Sequence, residues 1–160
     1  MATELEDLRI LKTAEGIADA VWKQIVAWDE FARDVVGKQL ASATDSIGAN
    51  IAESFGRFNY GEKLQFLYYS RGSLFETKYW LTRALVRELM QAGEVKDYAS
   101  RLTEVARQLN TFANSLKAQR SEIKNQSKTI REPSAKYGFE DVFIASGVLF
   151  TDAELNWLEN

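Results

Sequence analysis

Three polar side chains recur along one predicted helix at positions where they could bind a ligand or a partner. Ser46, Asn50 and Glu53 follow one another at steps of four and three residues, beside the apolar residues Ile47 and Ile51. Side chains at this spacing lie on the same face of a helix. A hydroxyl, an amide and a carboxylate on one face can accept and donate hydrogen bonds or pair with a cation.

An arginine in a later segment is a candidate cation for this polar stripe. Leu67, Leu74 and Leu81 form an apolar line with a seven-residue period, and Arg71 falls between the first two. One unpaired charge in a core would cost several kcal/mol. We therefore predict a buried or half-buried network in which Arg71 pairs chiefly with Glu53. The predicted network comprises Ser46, Asn50, Glu53, Arg71, Ser73 and Glu76.

Two interpretations of this network remain open on sequence grounds. In the first, it fixes the register of the helices, as single buried polar residues do in some coiled coils. In the second, it binds a ligand or a partner. The chain has no histidine and no cysteine, which removes the commonest general bases and nucleophiles and the Glu-x-x-His sites of di-iron bundles. We expect no enzymatic activity, no metal and no cofactor.

The periodicity of apolar residues predicts four long amphipathic helices. The first covers about residues 4–27, and the second follows Asp29, a candidate N-cap, and ends near "GRFNYGE". The third runs from about Gly61 to Met90 and is closed by Gly93, and the fourth carries Val95 to Leu116. Short connections between long helices favour antiparallel neighbours. The predicted fold is all-α, an antiparallel up-down four-helix bundle (1–119) with a C-terminal extension (120–160).

Two motifs in the second and third predicted helices resemble a known family. "SIGANIAESFGR" followed by "YYSRGSLFE" is similar to the four-helix bundle family of 23S rRNA intervening-sequence proteins and of the accessory variability determinant (Avd-like) proteins of diversity-generating retroelements. The resemblance begins near "LEDLRILK" and ends at about Gln119. The positions that match the motifs are Ser46, Ile47, Asn50, Ile51, Ala52, Glu53, Gly56, Arg57, Arg71, Gly72, Ser73, Leu74 and Glu76.

The resemblance implies a ring-like homo-oligomer, most simply a homopentamer, with no enzymatic activity. It also implies binding of nucleic acid or of a protein partner, which in the retroelement branch is a reverse transcriptase with its template RNA. The sequence departs from the family pattern in three places. "LASATDS" lacks an arginine pair, Gly48 replaces a common proline and Ser54 replaces a common glycine. The loss of the arginines weakens the electrostatic case for RNA.

Charge is distributed unevenly along the chain. The net charge is −3, which argues against a globally basic nucleic-acid binder. Residues 1–60 hold six basic against ten acidic residues, whereas residues 61–119 hold nine against six. The segment from Lys117 to Lys136 holds six against two. Candidate nucleic-acid or partner contacts are Arg57, Lys78, Lys117, Arg120, Lys124, Lys128, Arg131 and Lys136.

The last part of the sequence is apolar as well as acidic. "YGFEDVFIASGVLFTDAELNWLEN" contains clustered large apolar residues and a capping box from Thr151 to Glu154. A segment of this composition needs a surface to cover, either on its own bundle or on a neighbouring subunit. We slightly favour the neighbour.

These observations predict a non-enzymatic oligomeric accessory or scaffold protein that binds a nucleoprotein partner, such as a retroelement reverse transcriptase with its RNA. One alternative is a protein that binds RNA or DNA directly through a basic face, and another is a stand-alone structural oligomer. The N-terminus lacks a basic segment followed by an apolar run, and no apolar stretch approaches the roughly 20 residues that cross a bilayer. We expect a cytoplasmic protein without a membrane role.

Overall fold

A computed structural model describes the backbone of residues 2–126 and the side chains of residues 9–126. The helices follow the chain order α1 (Ala2–Ile25), α2 (Glu30–Ala32), a π-helical segment (Arg33–Gly37), α3 (Lys38–Gly56), α4 (Tyr60–Val86) and α5 (Ala92–Gln126). The short α2, the π-helical segment and α3 follow one another without a break, so they form one long member of the bundle.

Four long helices pack antiparallel around one core, which confirms the predicted all-α bundle. Helix α3 lies between α1 and α4, and α5 closes the bundle between α4 and α1. The largest fully buried side chains are Ile17, Val21, Leu40, Ile47, Ile51, Leu67, Leu74, Leu81, Val95, Leu102, Val105 and Leu109. They come from all four long helices and recur at steps of three, four or seven residues, which keeps them on one side of each helix.

The predicted domain boundary and the ring stay predictions. Helix α5 continues from Ala92 to Gln126 and therefore runs past residue 119, where the extension was placed. The apolar segment and its capping box lie outside the described residues. Within residues 2–126, none of the helices is long and apolar enough to span a bilayer.

One predicted helix end is confirmed and one is wrong. The carboxylate of Asp29 accepts a hydrogen bond from the Ala32 amide at 3.0 Å, so Asp29 is the N-cap. Helix α4, however, ends at Val86, and Gly93 lies in the first turn of α5. The actual terminator is Glu88, whose φ of 59° is left-handed.

The left-handed residue reverses the chain after α4 and satisfies two carbonyls at the helix end. The Glu88 amide donates to the Leu85 carbonyl at 3.0 Å, and the Leu89 amide donates to the Ala84 carbonyl at 2.9 Å. This pair of hydrogen bonds is the Schellman motif, in which glycine usually occupies the left-handed position. Sequence reasoning chose Gly93 for that reason and missed a glutamate in the same role.

Helix α5 is tied to α1 by a polar contact near the other end of the bundle. The Tyr98 hydroxyl donates to Gln24 Oε1 at 2.8 Å. Burial of this phenol raises its pKa, because the ionised form would lose hydration. Tyr98 therefore stays a neutral donor and serves the packing of α5 on α1.

The π-helical segment brings its last residue close to α1. A Cβ at Gly37 would lie 2.6 Å from Cγ2 of Ile25, a separation at which one of the two groups must move. Gly72, in the middle of α4, has a different environment, because a Cβ there would meet no described heavy atom within 4 Å. Each of the two glycines destabilises its helix by roughly 0.5–1 kcal/mol relative to alanine. They differ in the space available for an added methyl group.

This difference predicts opposite effects of the same substitution. In a chain that ends at Gln126, we expect Gly72→Ala to raise the free energy of unfolding by about 0.5–1 kcal/mol. Gly37→Ala should lower it by about 1 kcal/mol, because overpacking costs about 1–3 kcal/mol and exceeds the helical gain. Urea denaturation of this shortened chain, followed by circular dichroism at one protein concentration, measures both changes. Stabilisation by both substitutions would contradict the close approach of Gly37 to α1.

Candidate functional site

Buried hydroxyl groups join α3 to α4, the most extensively packed pair of helices. Ser70 is fully buried, and its Oγ donates to the Ile47 carbonyl of α3 at 2.9 Å. Ser54, also fully buried, donates from α3 to the Lys63 carbonyl of α4 at 3.0 Å. These two hydrogen bonds cross between the helices near the middle and at one end of the pair.

The predicted polar stripe on α3 is satisfied largely within its own helix. The Asn50 side-chain amide donates to the Ser46 carbonyl at 2.8 Å. Glu53 is paired with Arg57 one turn later, and its side chain is 47% exposed. Glu53 therefore lies at the edge of the bundle. The pairing of Arg71 with Glu53 stays a prediction.

The prediction that Arg71 occupies the core position between Leu67 and Leu74 is wrong. Ser70 holds that position, and Arg71 is only partly buried. Between leucines seven residues apart, a helix offers two inward positions, one three and one four residues after the first leucine. In α4 the step of three falls on the uncharged and fully buried Ser70 and Thr77, whereas the step of four falls on Arg71 and Lys78, which are only partly buried. Residue type therefore carried the signal that spacing did not.

The two remaining members of the predicted network differ in exposure, although they lie one turn apart on α4. Ser73 is buried, and its hydroxyl donates to the Tyr69 carbonyl at 3.1 Å. Glu76 is exposed to solvent. The hydrogen bonds of Ser73 and Asn50 thus satisfy helix backbone one turn away, which supports a structural role for these two residues.

Helix α4 carries a second apolar surface that faces solvent. Tyr69, Phe75, Tyr79 and Val86 are between 45% and 56% exposed, although they belong to the same helix as the buried leucines. Helical spacing alone does not place such rings inside the bundle, and Trp22 of α1 is likewise exposed. We call the exposed surface the α4 face, and it comprises Tyr69, Arg71, Phe75, Tyr79, Arg83 and Val86.

Arginines lie over the exposed rings of the α4 face. The Arg71 guanidinium carbon is 5.3 Å from the centroid of Phe75, and that of Arg83 is 6.0 Å from the centroid of Tyr79. A third pair, Arg57 over Phe66 at 4.6 Å, lies near the start of α4. Such pairs are attracted by the ring quadrupole and present flat, partly apolar cations to a partner.

The glycine in the middle of the α4 face has no packing role among the described residues. Gly48 of α3 lies against α1, where a Cβ would be 3.7 Å from Leu11. Gly72 is exposed, and a Cβ there would meet no described heavy atom within 4 Å.

The predicted basic contacts do not form one patch in the described part of the chain. Lys78 is a partly buried residue of α4, whereas Lys117, Arg120 and Lys124 follow one another along the last turns of α5. The Arg120 guanidinium comes within 3.9 Å of a Cβ built at Gly61, which places it at the end of the bundle where α4 begins. Lys128, Arg131 and Lys136 lie outside the described residues.

A groove of about 390 Å³ between α1 and α3 is the other concave feature of note. Its floor is made of small residues such as Ala14, Ala18 and Ala49, and its acidic residues are Glu15, Asp19 and Asp45. Across the described residues, no group of three or more Asp or Glu side chains is arranged to hold a metal ion. The groove offers a shallow acidic surface with no constellation for catalysis.

Comparison with known proteins identifies the family. The profile of the 23S rRNA-intervening sequence protein family matches residues 6–111. The chain belongs to this family. No curated protein matched it. The matched part contains both motifs and the whole α4 face, whereas the basic run after Lys117 and the apolar C-terminal segment lie beyond the part that matches the 23S rRNA-intervening sequence proteins.

The buried hydroxyls should contribute more to stability than the exposed ion pair of α3. We expect Ser70→Ala to lower the free energy of unfolding by about 0.5–1.5 kcal/mol, because a buried hydrogen bond between helices is lost. Glu53→Ala should change it by about 0.5 kcal/mol or less, because exposed i,i+4 pairs are weak. Ser42→Ala, which removes an exposed serine hydroxyl from α3, is the control for the loss of a serine hydroxyl. Equal effects of Ser70→Ala and Ser42→Ala would contradict the assigned hydrogen bond.

Proposed function

We propose that the protein is a non-enzymatic, self-assembling accessory protein that binds a nucleoprotein partner through the α4 face. The partner implied by the family resemblance is a retroelement reverse transcriptase with its RNA. The observation that supports the proposal most directly is the row of half-exposed rings with arginines over two of them.

The composition of the α4 face is typical of protein-binding surfaces. Tyrosine and arginine are enriched among the residues that dominate binding energy, and aromatic rings carry large contact area at low entropic cost. Three basic residues, Arg71, Lys78 and Arg83, accompany the single acidic residue Glu76 between Tyr69 and Val86. The face is therefore suited to a partner surface that is apolar and acidic at once.

Self-assembly into a closed ring, a homopentamer in the simplest form, is the second part of the proposal. A second group of exposed apolar residues lies outside α4, around the connection between α1 and α2, and comprises Trp22, Val26, Phe31 and Val35. Trp22 and Val26 are one helical turn apart, and so are Phe31 and Val35. Contiguous exposed apolar residues of this kind mark interaction sites in soluble proteins, and a ring uses one such surface repeatedly.

Direct RNA or DNA binding is the second candidate function, and the arginine–ring pairs also favour it. Exposed rings stack on bases, and arginines contribute cation–π attraction in single-strand binders. Lys117, Arg120 and Lys124 would extend a basic path along α5 towards the segment that contains Lys128, Arg131 and Lys136. Because the net charge of this chain is −3, we favour a contact with the protein component of the nucleoprotein partner over a contact with its nucleic acid.

Light scattering on the full chain tests the proposal. Alone, the protein should have about five times the 18.2 kDa mass of one chain. At moderate salt it should add the mass of a reverse transcriptase bound to its structured RNA and should not add the RNA alone. Arg83→Glu should weaken that binding at least tenfold, because the reversed charge repels an acidic partner surface, whereas Arg107→Glu, at an exposed arginine of α5, should not.

The other outcomes separate the alternatives. Binding of RNA alone at low salt, lost on Lys124→Glu with Arg131→Glu, would favour the direct nucleic-acid binder. An oligomer that gains mass with neither probe would be a stand-alone structural assembly. A monomer would contradict the proposed self-assembly.

A further inference from the structure

We propose that the α4 face is the docking surface for the protein's own C-terminal segment, residues 137–160, folding back along α4 of the same chain. The docking is independent of the function proposed above. It rests on the composition of the segment, the charge of the two surfaces, the length of chain available and the space around Gly72.

The segment has the composition of something that covers an apolar surface. Its large apolar residues are Tyr137, Phe139, Val142, Phe143, Ile144, Val148, Leu149, Phe150, Leu155, Trp157 and Leu158. Burying one large apolar side chain contributes about 1.5–3 kcal/mol. The half-exposed rings of the α4 face, among them Phe75 and Tyr79, gain from the same contact. Both surfaces are left in water unless they meet each other or another partner.

The charges of the two surfaces are opposite. Residues 137–160 contain five acidic and no basic residues, whereas Arg71, Lys78 and Arg83 outnumber Glu76 along the α4 face. The groove between α1 and α3 would oppose the same segment, because its charged lining residues are acidic. Like charges brought together cost free energy. Of these two surfaces, the α4 face is the one that attracts an acidic apolar segment.

The chain is long enough to reach this surface from the end of α5. Arg120 of α5 lies beside Gly61 at the start of α4, so α5 ends at the end of the bundle where α4 begins. Residues 127–138 can span at most about 40 Å when extended. The rise from Gln126 to the level of Tyr69 is only about 20 Å at 1.5 Å per helical residue. The face from Tyr69 to Val86 is about 25 Å long, and twenty residues cover about 30 Å as a helix.

Gly72 provides room for close contact at the centre of the face. It is exposed, and a Cβ there would meet no described atom within 4 Å. A glycine in a helix interior is unfavourable by roughly 0.5–1 kcal/mol, and the packing of the described bundle does not offset this cost. Close approach of another segment to the helix backbone would do so.

Attachment to the same chain favours docking within one subunit. A short linker gives the tethered segment an effective concentration on the order of millimolar. A copy in free solution at micromolar concentration competes poorly with that value, and a subunit of the same assembly competes only if its α5 ends as close to this α4 as Arg120 does to Gly61. The proposal therefore differs from the docking on a neighbouring subunit that was favoured from the sequence. If the face also binds the nucleoprotein partner, the segment must be displaced first, and that consequence alone depends on the proposed function.

Hydrogen exchange of the full chain, followed by mass spectrometry, tests the docking without any partner. Backbone amides of residues 139–158 should exchange at least tenfold more slowly than the same segment as a free peptide. Tyr79→Ser and, independently, Phe75→Ser should each accelerate their exchange several-fold while the buried side of α4 keeps its protection. Phe31→Ser removes a more exposed ring far from α4 in sequence and should have no effect.

Each other outcome overturns the proposal. A segment that exchanges like the free peptide is not docked. A segment that is protected but insensitive to both α4 substitutions docks elsewhere. Protection that disappears on hundredfold dilution would mean that a second copy supplies the segment. None of these outcomes bears on partner binding, so failure here leaves the proposed function standing.

Discussion

The arrangement of this protein depends on one helix that is apolar on two sides. The inner side of α4 contributes Leu67, Leu74 and Leu81 to the core, and the bundle closes around it. Its outer side holds half-exposed rings under arginines. A helix that is apolar all round is normally buried, and α4 is covered by the described chain on only one side. The proposed binding of a partner and the proposed docking of the C-terminal segment both follow from the need to cover the outer side of α4.

The polar groups also differ between the interior and the surface of the bundle. Hydroxyls of Ser54 and Ser70 donate across the contact between α3 and α4, where a small neutral donor can be buried at low cost. Charged groups such as Glu53 and Arg57 pair at the rim. Asn50 of the polar stripe has a structural role, because its side-chain amide donates to the Ser46 carbonyl of its own helix. Two arginines of α4 lie over exposed rings.

The sequence predicted the four helices, their antiparallel packing and the N-cap at Asp29, because these features depend on local periodicity and capping. It failed at Gly93 because the left-handed residue is Glu88, a type that gives no such signal. It misplaced Arg71 because the spacing of the leucines allows either Ser70 or Arg71 between Leu67 and Leu74, and the uncharged serine is the buried one. The exposure of Tyr69 and Tyr79 could not be predicted from the sequence. The spacing of aromatic residues along a helix is the same whether a neighbouring helix, a C-terminal segment or a partner covers them.

Hydroxyl-radical labelling of the native full-length protein tests most directly whether the α4 face is covered. Phe58, which is 97% exposed, is the internal reference, and Phe75 and Tyr79 are 45% and 56% exposed in the bundle. After correction for intrinsic reactivity, a covered face predicts labelling of both rings several-fold below that of Phe58. Labelling in proportion to these exposures would mean that the outer side of α4 stays in water, contradicting the account.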